Sequence, residues 1–366
     1  MTEVRVAKQK DKKEFYRLWK ACFGDSDAFC DWFFENRFSP ENSVVLETEG
    51  EMASCMQAFP YKIQIRGKEI PGAMLCGVST HPNHRKKGYM SKIFSYEMNH
   101  LREKGFLVAV HTPAVLPSYF SFGHFPVANA AYLNCNVIPS LKKEEHICII
   151  REDQWKDLYP LYCHFAEKYS GIIKRTEADF LRKAADYAAD GGKSIAYIDH
   201  EIIKAYAFYY RTDTEITCVE AVADDGYWEK LMDGLFALGS GLKFSAKLPP
   251  DIEISYPFAT LEILQKGVMG LCNATSLLKE LNLSVPYGFK LRDHVISEHN
   301  TTLDFHGEPY SGEPVFEISA GHLLQVLVGY HSLHELRNEV IIYDEAKFDE
   351  IDHLLPKQNC YIIDEY

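Results

Sequence analysis

Residues 81–92, HPNHRKKGYMSK, place His84, Arg85, Lys86 and Lys87 directly before Gly88. The chemistry open to such a cluster is the holding of an anion. At the N-terminus of a helix several backbone N–H groups lack intrahelical partners, and the helix dipole adds partial positive charge there. Arg85, Lys86 and Lys87 add side-chain charge, and Gly88 removes the Cβ that would keep a pyrophosphate from touching the backbone. The bland alternative is a solvated basic loop with a glycine for its turn, because Arg-x-x-Gly alone occurs by chance in many chains.

The flanking elements decide between the two. YKIQIRGKEIPGAMLCGVST before the cluster reads as a hairpin turning at Arg66-Gly67, and SVVLETEGEMASCMQAF reads as two strand-like runs around Glu49-Gly50. After the cluster, Met90, Ile93, Phe94, Met98 and Leu101 form one helical stripe, closed by Lys104-Gly105. FLVAVH at 106–111 follows as an apolar strand. Strand, helix and buried strand make a parallel crossover, so the basic cluster lies where a nucleotide-diphosphate site requires it. Two competing phosphate sites fail. Gly192-Lys193-Ser194 has Tyr187 where a P-loop needs its first glycine, and a strand-like run follows it. No G-x-G-x-x-G opens the crossover, which disfavours a dinucleotide fold.

Upstream, VRVA at 4–7 is a short strand, and Phe15, Leu18, Trp19, Cys22 and Phe23 sit at helical spacing. Gly24 ends that helix, and Asp25 or Ser26 caps a second one carrying Phe29, Trp32 and Phe33. The same order recurs later. ICIIREDQWKDLYPLYCHFAEKYSG and EADFLRKAADYAAD give a strand and two helices, SIAYIDHEIIKAYAFYY a hairpin turning at Asp199-His200, and ITCVEAVADDGYWEKLMDGLFALG a strand leading into a helix before LKFSA. A repeat at that scale predicts two copies of one domain. From about 286 on, strands and one helix predict a small α+β domain, and the apolar, aromatic end CYIIDEY predicts a docked tail.

The composition sets the outer bounds. A chain of 366 residues, 46% hydrophobic and 25% charged, builds two or three domains. Acidic residues outnumber basic ones by 52 to 39, a net charge of -13 that argues against a nucleic-acid partner and is compatible with a cationic substrate. Ten scattered cysteines form no C-x-x-C pair and no metal-ligand spacing, so reduced, buried thiols and no metal are expected. The start MTEVRVAKQK has no apolar signal region, and no apolar run reaches the eighteen or so residues of a membrane span. A cytoplasmic protein without a membrane partner is the expectation.

VSTHPNHRKKGYMSKIF resembles motif A of the GCN5-related N-acetyltransferases (GNATs), whose R/Q-x-x-G-x-G/A loop binds the pyrophosphate of acetyl-CoA. Here that loop is Arg85-Lys86-Lys87-Gly88-Tyr89-Met90, with Met90 in place of the usual small residue. The tandem acetyltransferases of the enhanced intracellular survival (Eis) family carry a bulkier residue there, and the chain is similar to them over nearly its whole length. PSYFSFGHF at 117–125 resembles their aromatic-glycine segment with its catalytic tyrosine, here Tyr119, and the chain end carries their terminal aromatic residue, here Tyr366.

The resemblance implies an α/β and α+β fold. It divides into a catalytic GNAT module at 1–138, a degenerate GNAT-like module at 139–285, and a sterol-carrier-like (SCP2-like) domain at 286–366 whose tail reaches the active site. It also implies acetyl-CoA in the first module only, with pantetheine along Val78, Ser79 and Thr80. The second module's matching turn reads Ala223-Asp224-Asp225-Gly226, which repels a pyrophosphate. Tyr119 is then the general acid, the backbone N–H around Val78 the oxyanion donor, and the Tyr366 carboxylate the base. A free α-carboxyl near pKa 3.5 is a poor base toward an amine near 10, a gap that burial narrows. Asp25 and Glu365 are candidate contacts for a cationic amine, aminoglycoside- or polyamine-like, or a lysine side chain. The family forms hexamers, so a closed homo-oligomer is expected. The rival from another class is a binding protein that senses acyl-CoA or carries an apolar ligand without turnover.

Overall fold

A computed structural model describes residues 2–140 and 145–365 of the chain. The fold is mixed α/β and α+β, and it divides into two compact units. One takes residues up to 128, 170–173 and from 266 onward; the other takes 129–169 and 174–265.

In the first unit, β1 (Thr2–Val6), β2 (Ser43–Thr48), β3 (Glu51–Ile65) and β4 (Lys68–Thr80) form an antiparallel meander. Its hairpins turn at Glu49-Gly50 (φ 55° and 84°) and Arg66-Gly67 (φ 48° and 75°), left-handed pairs that match the strand twist. Helices α1 (Lys12–Cys22) and α2 (Asp27–Asn36) precede β2. Of the two candidate caps, Ser26 is the one used: its side chain accepts from the Phe29 amide at 3.1 Å. Both helices bury aromatic residues, Phe15, Trp19, Phe33 and Phe34, with Cys55, Phe59, Ile63 and Met74 of the meander.

Helix α3 (Tyr89–Glu103) carries the chain from β4 to β5 (Val108–His111), and the two strands pair in parallel. Four of the five residues of the expected stripe face inward, Ile93, Phe94, Met98 and Leu101 being buried with Ala58, Ala73, Leu75 and Ala109, while Met90 in the first turn is half-buried against them. Removing each large side chain of that stripe from water contributes about 2 kcal/mol. The parallel pairing covers only Gly72–Met74 against Val108–Val110. From Leu75 to Thr80, β4 runs on without β5 beside it, which opens the sheet at the C-terminal ends of both strands.

The other edge of β5 is covered by a strand from far along the chain. Val268–Leu271 pairs antiparallel with β5, His111 opposite Val268, and also with β6 (Phe125–Pro126). The C-terminal part of the unit holds a four-stranded sheet in the order Thr302–Asp304, Gly288–Arg292, Phe316–Ser319, Ile341–Ile342, with helices Ala320–Val328 and Glu345–Leu354. Beyond it Tyr361, Ile362, Ile363 and Asp364 are buried, so the tail docks along this unit. Gly267, at φ +99°, leaves the space that Ile362 fills.

The second unit is a seven-stranded sheet whose edge strand Thr260–Gln265 pairs with β7 (Asn129–Cys135). It too contains a parallel crossover, Glu215–Ala223 to Lys243–Leu248 through helix Trp228–Ala237. Its hairpin turns at His200-Glu201, one residue later than the sequence indicates. Both residues are left-handed, at φ 47° and 65°, with no glycine to mark the position. Its core holds an ion pair, Arg175 to Glu220 at 2.8 Å, with Tyr206 and Tyr187 donating to the same carboxylate.

Candidate functional site

The opening between β4 and β5 contains a cavity of about 410 Å³. Val78, Ser79 and Thr80 form one wall, and His84, Arg85, Lys86, Gly88, Tyr89 and Met90 form the floor at the start of α3. Tyr119 lines the same cavity, with Cys22 and Phe23 at the end of α1. Of the residues expected to bind a cofactor, Lys87 alone is outside this lining, and it is exposed on the same turn.

Backbone geometry prepares the anion site. Gly88 is the N-cap of α3 at φ 73°, and a Cβ there would meet nothing within 4 Å. The glycine is required by its left-handed conformation, and the open space beside it suits a ligand in contact with backbone. Lys86 is also left-handed, at φ 61°. Among the described residues no carboxylate pairs with Arg85, Lys86 or Lys87. Arg85 donates from Nε to the Thr80 carbonyl at 3.3 Å, and its Nη2 lies 3.9 Å from Cys22 Sγ. Three cations without acidic partners, in a chain of net charge -13, are an anion site by both charge and shape. The residues present therefore fit a pyrophosphate.

The wall strand is irregular where a thioester would lie. Cys55 pairs with Ser79 and Gln57 with Cys76, so Gly77 and Val78 are passed over in the register. Gly77 stands at φ +59°, and the Trp19 ring lies where its Cβ would be, 2.4 Å from Cζ3. The two-against-one register at Met56 is a β-bulge, which interrupts the regular ladder at Gly77 and Val78. Trp19 in turn donates from Nε1 to Asp25 Oδ2 at 2.7 Å, and Lys20 Nζ donates to the Asp25 carbonyl at 2.8 Å.

Tyr119 sits in a short 3-10 helix, Leu116–Phe122, that ends at Gly123, φ 73°. Its ring packs edge-to-face against His111, 4.4 Å between centroids, and against Phe94 at 5.5 Å. Burial raises the phenol above its ordinary value of 10, so it stays protonated at neutral pH.

Tyr366 lies outside the described residues; the residues before it are placed. The Thr112 hydroxyl donates to the Asp364 carbonyl at 3.4 Å, and Glu365 pairs with Lys266 at 3.5 Å. The tail thus reaches the residue next to His111. The sequence reading missed His111, His124, Thr112 and Lys266 at this site. For His111, Thr112 and His124 the only sequence signal was placement at the end of the crossover strand and in the FGHF segment; Lys266 had none.

At the matching turn of the second unit, Gly226 is left-handed like Gly88, at φ 81°. Asp224 and Asp225 occupy the place of the cations and pair with Lys204 and Lys168, at 3.1 and 2.7 Å. Among the described residues no group of three His, Cys, Asp or Glu could hold a metal, and no helix is long and apolar enough to cross a membrane.

Residues 3–127, which contain the cavity's walls, floor and Tyr119, match the acetyltransferase (GNAT) domain family. No curated protein matches the sequence. Solved structures match along the full length of both chains. A GCN5-related N-acetyltransferase from Anabaena variabilis ATCC 29413 superposes with a TM-score of 0.84 at 13% identity. A probable N-acyltransferase from Enterococcus faecalis V583 gives 0.81 at 17%, and Eis1 from Mycobacterium abscessus 0.77 at 14%. At such identities the likeness is one of fold. With the domain match and the geometry of its cavity, residues 3–127 are a GNAT acetyltransferase domain, and the chain is an enzyme of the N-acetyltransferase type.

Proposed function

We propose that the chain is an Eis-type acetyltransferase that moves an acetyl group from acetyl-CoA to primary amines of a cationic small molecule, aminoglycoside- or polyamine-like, or of lysine. One observation carries the reading: Val78, the basic turn with Arg85, Lys86, Gly88, Tyr89 and Met90, and Tyr119 all line one cavity. In this reading the pyrophosphate rests on Arg85, Lys86, Lys87 and the amides after Gly88, and pantetheine follows Val78, Ser79 and Thr80.

The neutral amine attacks the thioester carbonyl, and the backbone N–H around Val78, at the bulge, steadies the oxyanion. The C–S bond breaks, its electron pair goes to sulfur, and Tyr119 Oη–H supplies the proton to the thiolate. The terminal carboxylate of Tyr366 takes the proton that nitrogen loses and returns it through solvent to the phenolate. The buried run Tyr361–Asp364 and the Thr112–Asp364 contact support a terminus held near the site. Asp25 lies two residues after Phe23 of the cavity lining, and Glu365 follows Asp364, which Thr112 contacts; in this reading an incoming ammonium competes with Trp19 and Lys266 for the two carboxylates.

The division proposed is two acetyltransferase-like modules, 1–138 and 139–285, the second without a cofactor, and an SCP2-like domain at 286–366. The acidic turn at Asp224-Asp225 supports confinement of acetyl-CoA to the first. A cytoplasmic homohexamer is proposed with it. The exposed edge strand Thr260–Gln265, with Leu261, Ile263 and Leu264 open to solvent, supports self-association. Light scattering that shows a monomer at working concentration would remove that part.

The test of the base is a variant extended by two glycines beyond Tyr366. The reading expects it to bind CoA normally and to lose turnover; an extended enzyme as fast as wild type makes the tail a packing element only.

A further inference from the structure

Near Tyr119, outside the cavity's lining, lie two histidines that the mechanism above does not use. His111 ends β5 and His124 precedes β6; they are 3% and 0% exposed. His111 Nε2 and His124 Nδ1 are 3.2 Å apart, and His124 Nε2 is 3.3 Å from Met98 Sδ on α3. The space for the second ring is reserved in the sequence. Gly270, on the strand paired with β5, would carry a Cβ 2.2 Å from His124 Nε2.

The chain of contacts fixes both tautomers. A thioether sulfur accepts a hydrogen bond and cannot donate one. His124 Nε2 therefore bears the proton, its Nδ1 is the bare acceptor, and His111 Nε2–H donates to it. Burial keeps both rings neutral: His124 is lowered to about 3, and His111 well below its ordinary value, with His124 adding to the effect of burial. The His111 ring so fixed is the one packed on Tyr119 at 4.4 Å, with Phe94 flanking both.

We propose that His111, held by His124 and Met98, is a positioning residue that sets the Tyr119 phenol for proton delivery to the leaving thiolate. This rests on Tyr119 as the acid. His111 itself does not titrate in the step. Its role is to restrict the phenol to the orientation in which Oη reaches sulfur, and misplacement of about 1 Å at such a group costs up to about 100-fold in rate.

The test is a cycle of His124 and Tyr119 variants, with kcat and KM for acetyl-CoA measured in the full-length enzyme. His124→Leu removes the acceptor for His111 and is expected to lower kcat about tenfold or more, with KM for acetyl-CoA within about twofold. His124→Asn, whose Oδ1 replaces the ring acceptor, is expected to retain most of kcat. In a Tyr119→Phe background His124→Leu is expected to cost nothing further, because its effect runs through the phenol. An equal loss in both backgrounds, or an equal loss for Leu and Asn, overturns the proposal. Should His124→Leu not fold, Met98→Leu, which conserves volume and removes the sulfur, gives the same reading: a smaller fall in kcat that vanishes with Tyr119→Phe supports the pairing, and one that persists overturns it. Tyr119→Phe as active as wild type overturns the acid reading itself, and that result is separate from the other two.

Discussion

Glu97 sits on the core face of α3, 1% exposed, beside the helix's apolar stripe. Neither carboxylate oxygen has a hydrogen-bond partner among the described residues. Burial pushes its pKa up to about 8, with Lys104 pulling weakly the other way. In the unfolded chain the same group ionises near its ordinary 4.5. Between those values the folded protein holds a proton that the unfolded chain has released, so stability falls as pH rises through the window. Each pH unit is worth about 1.4 kcal/mol, which gives a cost of about 3 kcal/mol at pH 7 and about 5 once the pH is past 8.

Glu97→Gln keeps the shape and removes the ionisation. The variant is expected to match wild type near pH 5 and to exceed it increasingly up to pH 8.5, by about 3 kcal/mol at neutrality. Denaturant unfolding from pH 5 to 9, followed by circular dichroism, reads the difference directly. Parallel stability profiles for the two proteins would refute the reasoning, because they would mean that Glu97 is ionised or hydrated in the folded state.

Three further outcomes follow from the same geometry. Arg85→Ala removes a cation from the pyrophosphate floor and is expected to raise KM for acetyl-CoA about tenfold, more at low salt than at high; a fall in kcat with KM unchanged would move Arg85 out of that role. Gly88→Val forces a branched residue into the left-handed N-cap at a cost of about 1–2 kcal/mol in stability, and its side chain enters the open space beside the turn, so titration with CoA should show weaker binding than wild type. In the second unit, Glu220→Gln removes the buried carboxylate charge that Arg175, Tyr187 and Tyr206 share and should destabilise that unit by about 3–5 kcal/mol; a loss below about 1 kcal/mol in urea unfolding contradicts that account.

The cavity's floor was legible because it depends on local sequence, whereas Tyr119 was reached through the resemblance of PSYFSFGHF to a family segment. The Arg85–Gly88 turn needs a left-handed glycine before a striped helix, and the two I′ hairpins of the first unit each show their glycine. The His200-Glu201 turn was placed one residue early because two ordinary residues take the left-handed conformation there. The strand Val268–Leu271 gave no sign of its partners. Its four buried residues satisfy β5 and β6, which lie about 160 and about 140 residues earlier, and pairing across such a separation leaves no periodicity to read. His111 and His124 were missed for the same reason. Their meaning lies in a tautomer chain that closes only when α3, β5 and the FGHF segment meet. Asp25 was noticed for its charge, and the structure shows the partner, Trp19, that engages it.

The most direct measurement is thiol release from acetyl-CoA by wild type and Tyr119→Phe, with a multi-amine aminoglycoside and a polyamine as acceptors and CoA binding measured alongside. The account predicts turnover by wild type and a loss of about 100-fold or more in kcat for Tyr119→Phe, with CoA binding intact. A phenylalanine variant as fast as wild type, or a wild type that binds CoA and releases no thiol with any amine, would contradict it.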